Sequence, residues 1–218
     1  TAVYKIMHDS RGNSWISAHR KLFHRHNKQP WPVITGDELG SYPWFSDIFE
    51  DRQQNIWLAS FSDGLYRASS GNIRRIVAEN ADPVVRSVAV TPDNNLLLAG
   101  QSDIGELKAD GSYHKILDAS ALGANTIHDV FWPSADEMWL ATDRGVQRLN
   151  RGENTLTAQF PELSKYTVRM LLPDGLDGLW IGGVMGIFHY QGSGLTAFSH
   201  NNELESRNIT AMQQQQRL

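Results

Sequence analysis

Cysteine is absent from the 218 residues, so disulfides and thiolate chemistry are excluded. That absence does not fix the compartment, because a periplasmic protein can also lack cysteine. No apolar run approaches the ~20 residues that a membrane-spanning helix needs. No secretory leader is visible. A charge excess is missing too: the formal net charge is −4, and 20% of residues are charged. Nothing therefore favours a nucleic acid or an anionic membrane as partner. The motifs Gly-x-Ser-x-Gly, Gly-x-x-x-x-Gly-Lys and His-Glu-x-x-His are all absent. No cofactor or metal is expected, and the chain reads as non-catalytic.

What is present is a ruler of tryptophans. Trp15, Trp57, Trp139 and Trp180 are separated by 42, 82 and 41 residues, and Leu97 stands on the missing mark. A period of this length identifies stacked supersecondary units, with a β-propeller leading. Each unit opens on a short apolar-rich strand: Val3–Met7, Phe45–Phe49, Val85–Ala89, Ile127–Phe131 and Val168–Leu172. A turn rich in Asp, Asn, Gly and Pro follows. The marker strand comes next, as SWISA, IWLAS, LLLAG, MWLAT and LWIGG. Two residues after the marker the side chain is always small: Ser17, Ala59, Ala99, Ala141 and Gly182. We read this as room left for the large aromatic. Glycine introduces the third strand in most units, at Gly64, Gly145 and Gly186 and more loosely at Gly105. A variable fourth strand completes each unit. No stretch shows a capped helical period.

The expected fold is therefore all-β, a propeller of four-stranded antiparallel blades. Repeats are placed at about 2–43, 44–83, 84–125, 126–166 and 167–208, with the first strand of a sixth at 209–218. The next marker would fall just past Leu218. The chain is thus read as a piece of a longer polypeptide, either a closed five-blade ring or an arc of a larger, seven-bladed one.

The pattern Asp-x-x-Gly-Asn-x-Trp-Ile followed by Gly-Leu-Tyr-Arg resembles the two-component regulator propeller repeat. It is carried by Asp9, Gly12, Asn13 and Trp15, by Asp51, Asn55, Trp57, Gly64 and Tyr66, and by Asp174, Gly178, Trp180 and Gly186. The resemblance implies the periplasmic sensor region of a bacterial hybrid histidine kinase or diguanylate cyclase, anchored in the inner membrane. It further implies a homodimeric parent, neighbouring signalling domains, and in some members an oligosaccharide ligand. WD40 blades are disfavoured because no Trp precedes Asp. Virginiamycin-lyase-like propellers repeat a Trp near this period and remain a competitor. A glycosidase or lyase is the alternative function, and a protein-interaction scaffold is a further one.

Candidate ligand residues follow from position. The second residue of each opening strand is polar: Tyr4, Ser46, Arg86, His128, Arg169 and Thr210. Such residues line a central channel, where Arg86, Arg169 and His128 suit an anionic group. Trp31 and Trp44 stand off the ruler in a loop-like stretch, as does Trp132 before Pro133. Loop aromatics serve stacking and anchoring. Asp47 and Asp129, one place further along their strands, are the acids a glycosidase would need. Against that, each is expected to bind a neighbouring backbone amide or serine. His24 and His26 share a strand face, but no third ligand accompanies them.

Overall fold

The computed structural model describes residues 3–19, 21–26, 33–34, 39, 43–69, 72–76, 80–123, 126–153, 155–192, 194–198, 208–210 and 212. The chain is all-β and forms five four-stranded antiparallel sheets, each with its strands in sequence order, as propeller blades. It divides into two compact units, Thr1–Ala119 and Ser120–Leu218.

The first unit holds three blades. Blade one comprises β1 (Val3–His8), β2 (Ser14–Ala18), β3 (Lys21–Arg25) and β4 (Val33–Ile34). Blade two comprises β5 (Phe45–Glu50), β6 (Ile56–Ser60), β7 (Gly64–Ser69) and β8 (Asn72–Ile76). Blade three comprises β9 (Val85–Val90), β10 (Leu96–Gly100), β11 (Asp103–Leu107) and β12 (Tyr113–Asp118). The second unit holds two more. Blade four is β13 (Ile127–Ser134), β14 (Glu137–Thr142), β15 (Gly145–Asn150) and β16 (Thr155–Ala158). Blade five is β17 (Val168–Pro173), β18 (Leu179–Gly183), β19 (Gly186–Gln191) and β20 (Gly194–Ala197).

The repeat motif is a turn held by one carboxylate. Asp9 Oδ1 accepts the N–H groups of Arg11 (3.1 Å) and Asn13 (2.7 Å). Its Oδ2 accepts Asn13 Nδ2 (2.7 Å) and the Trp15 indole N–H (3.0 Å). Asp51 does the same for Gln53, Asn55 and Trp57. Three residues before the marker the backbone is left-handed in four blades, at Gly12, Gln54, Asn94 and Asp177. This closes a short hairpin. Blade four departs from the pattern. Pro133 stands where the turn Asp should be, and Glu137 takes the Trp139 indole N–H instead.

Each marker also has a fixed cross-strand partner. Trp15 pairs with His24, Trp57 with Arg67, Trp139 with Arg148 and Trp180 with His189. The imidazoles stack on the indoles at 3.9 Å (His24) and 4.1 Å (His189). The guanidinium carbons of Arg67 and Arg148 lie 5.6 Å and 5.8 Å from their indole centroids. Blade three breaks both halves of the pair together. Leu97 is fully buried, and opposite it stands Glu106, which accepts Asn95 Nδ2 (2.8 Å) and Thr91 Oγ1 (3.3 Å).

The apolar core lies between blades. Ala59 packs with Val85, Val88, Leu96 and Leu98 of the following blade, and Ala141 with Val168, Leu171 and Ile181. The small residue after the marker therefore admits the next blade's opening strand. Gly105 does not introduce a strand. It sits inside β11, where an added Cβ would fall 2.2 Å from the Tyr113 ring. After residue 207 the described residues form no strand, although the Ile209 N–H bonds the Gly183 carbonyl at 2.9 Å and Met212 lies against Gly182.

Candidate functional site

Every opening strand carries a β-bulge at the same place. Val3 pairs with Ala18 and Lys5 with Ser17, which leaves Tyr4 outside the cross-strand register. Ser46, Arg86, His128 and Arg169 are left over in the same way. A bulge re-aims its extra side chain and interrupts the ladder locally. The polar series read from the sequence is therefore the bulge series, one residue per blade.

In the first unit these positions gather an aromatic cluster. Trp44 lies 5.7 Å from Tyr4, 6.1 Å from Phe61 and 5.6 Å from His19, centroid to centroid. Tyr4 and Phe61 are 6.1 Å apart. The Phe61 N–H donates to the Trp44 carbonyl at 2.9 Å, which ties the loop after β6 to the entry of β5. Arg86 places its guanidinium carbon 5.2 Å from the Phe61 centroid. Burial pushes the Arg86 guanidinium below its ordinary value, and nearby Asp82 opposes that shift. Burial also raises Asp82, but donors from Ser102 and Val84 outweigh it and hold the carboxyl low. Trp44 Nε1 and Arg86 Nε are buried with no hydrogen-bond partner among the described residues. Such donors carry a desolvation cost until something accepts from them. Ser46 is already engaged, donating to the Val85 carbonyl at 2.6 Å.

In the second unit, His128 and Arg169 occupy the bulges of β13 and β17. Arg169 Nε is buried without a partner among the described residues. Trp132 is buried, with the Arg151 guanidinium carbon 4.6 Å from its ring centroid. With Trp139, Tyr190 and Glu137 it lines a groove of about 690 Å³. Trp31 lies outside the described residues. Phe61 escaped the sequence reading, because it follows the marker strand in a loop whose composition carries no signal.

The paired aspartates are structural. Asp47 forms an ion pair with Lys5 at 2.7 Å, and its Oδ1 accepts the Ile48 N–H. Its Oδ2 accepts Ser87 Oγ (3.1 Å) and the Val88 N–H (3.0 Å) of the next blade. Asp129 repeats the arrangement, accepting the N–H groups of Val130 and, in the next blade, Leu171, each at 2.9 Å. These are inter-blade clamps with committed lone pairs, which opposes a glycosidase role for them. His24 is also committed, stacked on Trp15. Burial lowers its imidazole below the ordinary value, Asp9 opposing. Among the described residues no cluster of three metal-ligating side chains occurs.

The architecture defines the class, an all-β repeat of propeller blades. No protein-family model matches the chain, and no curated protein matches it in sequence. Solved structures share its fold. The extracellular domain of BT3049 from B. thetaiotaomicron, assigned as a hybrid two component system, superposes with a TM-score of 0.76 at 18% identity, over 96% of this chain and 30% of that one. Virginiamycin B lyase from Staphylococcus aureus superposes at 0.73 and 16% identity, over 91% and 70%. A protein assigned as a gluconolactonase gives 0.70 at 14% identity, over 89% and 76%. The chain thus spans under a third of the sensor domain it is similar to. The non-catalytic expectation is corrected by these findings: propellers that are enzymes are as similar in fold as those that are sensors. Among the described residues no helix is long and apolar enough to cross a membrane.

Proposed function

We propose that the chain is a ligand-sensing propeller segment of a bacterial membrane-bound signalling protein, a sensor kinase or cyclase, held in the periplasm. The observation that carries this is the cluster of Tyr4, Trp44 and Phe61 beside Arg86, in a fold shared with sensor extracellular domains. Aromatic faces beside a guanidinium suit an oligosaccharide, whose C–H faces stack while its hydroxyls accept from the cation. Arg86 and Trp44 would contact ligand in the first unit, and His128 and Arg169 in the second. The neighbouring domains of a homodimeric parent would read the occupied state. A ligand shifts that equilibrium only through unequal affinity for the two states. In the full-length parent, Trp44→Ala and Arg86→Gln should each abolish glycan-dependent output while leaving expression unchanged. Undiminished output in both variants ends the proposal.

A second reading rests on the likeness to virginiamycin B lyase, which extends over 70% of that enzyme. His128, at the bulge of β13, would be the group that moves a proton. Incubation with virginiamycin B and with quinupristin, followed by mass spectrometry, tests it. Turnover that is lost in His128→Ala supports this reading, and intact antibiotic removes it.

A further inference from the structure

Blades two and three border a groove of about 350 Å³, a volume within the rough 300–1,000 Å³ range of small-molecule sites. Arg67, Arg74 and Lys108 line it. Arg67 and Arg74 are direct cross-strand partners on β7 and β8. Like charges placed opposite one another destabilise an antiparallel pair. None of the ion pairs among the described residues involves any of these three cations. The carboxylate lining the groove, Asp51, already accepts four hydrogen bonds from its own turn and from Trp57. Arg67 Nε is buried without a partner among the described residues.

Blade four supplies an internal control. Arg148 stacks on Trp139 as Arg67 stacks on Trp57, but Arg148 Nη2 meets the Glu137 carboxylate at 2.9 Å. Across the strand from Arg148 stands Thr157, and in blade five Thr196 stands across from His189. Blade two replaces both neighbours. Asn55 holds the place of Glu137 and accepts from Arg67 Nη2 at 2.5 Å, which bonds the guanidinium without neutralising it. Arg74 holds the place of Thr157 and adds a second guanidinium. Blade two keeps its one turn carboxylate at Asp51, where the donors of its own turn and Trp57 occupy it. Among the described residues, two guanidiniums therefore stand there without an ion pair, against one paired guanidinium in blade four.

We propose that this groove binds an oxyanion, a carboxylate, sulfate or phosphate group of a small ligand, through Arg67, Arg74 and Lys108. Guanidinium forks pair two oxygens of such a group at once, and a bound anion relieves the Arg67–Arg74 repulsion. The site is separate from the Trp44 cluster, and it stands or falls independently of the sensor reading.

Isothermal titration of the whole chain with sodium sulfate, sodium phosphate and sodium acetate, each against sodium chloride at matched ionic strength, tests this. Saturable binding of at least one oxyanion is expected. Acetate alone identifies carboxylate recognition, whereas sulfate or phosphate identifies a tetrahedral anion. Arg74→Thr with Lys108→Gln should weaken binding at least tenfold. Arg74→Thr alone, which installs the residue found in blades four and five, should raise the melting temperature in anion-free buffer. Absence of saturable binding by all three salts, or equal binding by the double variant, overturns the proposal.

Discussion

At the scale of the residue, the turn aspartates carry the repeat. Asp51 satisfies two backbone donors, one amide and one indole. Removing its carboxylate leaves part-buried donors without an acceptor. Asp51→Ala should cost about 2–3 kcal/mol in urea unfolding, since each unsatisfied buried group costs roughly 1–3 kcal/mol. Asp9 adds a pH dependence. Burial raises its carboxyl, but hydrogen bonds from Trp15, Asn13 and Arg11 outweigh that and hold it below its ordinary value of 3.8. A depressed folded value means that the unfolded chain binds the proton first. The stability Asp9 contributes is present above pH 3.8 and is lost as the pH falls through the lower folded value. Asp9→Asn should flatten the acid limb of the stability profile, measured as urea midpoints from pH 6 downward. An unchanged slope would remove Asp9 from the account. These motifs were legible in the sequence because they are local: acceptor and indole are six residues apart, and one turn geometry serves both.

At the scale of the element, two arrangements tie strands together and only one was visible beforehand. The markers at one period predicted the blades and the opening strands. The partner of each marker is set by strand pairing, so the joint exchange of Leu97 and Glu106 was not legible. Leu97→Trp should destabilise by about 1–3 kcal/mol through overpacking of a fully buried site. Adding Glu106→Arg should recover part of that loss, because the cation then lies over the indole as in blade two. A double-mutant cycle with no coupling would refute the pairing. The aspartate clamps make a second prediction. Asp129→Asn leaves one oxygen to accept and removes the charge, so it should cost less than Asp129→Ala in thermal unfolding. Equal, negligible costs would show that the clamp holds nothing. The bulges themselves escaped the sequence reading, since an extra residue per opening strand appears only once the register is known.

At the scale of the molecule, the ruler tryptophans hold blades, and ligand contact is proposed for Trp44, which stands off the ruler. The indoles of Trp15, Trp57 and Trp139 donate to carboxylates within their own blades. Trp44 Nε1 has no such acceptor among the described residues and stands with Tyr4, Phe61 and His19. Trp44 was recognisable in the sequence because it broke the period. Its neighbours come from a different blade or loop, and only the folded chain brings them together. Blade two departs from blades four and five at Arg74, which stands across from Arg67 where the other two carry threonine.

The most direct test is a nitrogen-15 NMR titration that follows the indole N–H signals of the seven tryptophans while an oligosaccharide pool is added. The account predicts that the Trp44 signal shifts saturably while those of Trp15, Trp57 and Trp139 stay in place. Shifts confined to the ruler tryptophans, with Trp44 unmoved, would contradict it.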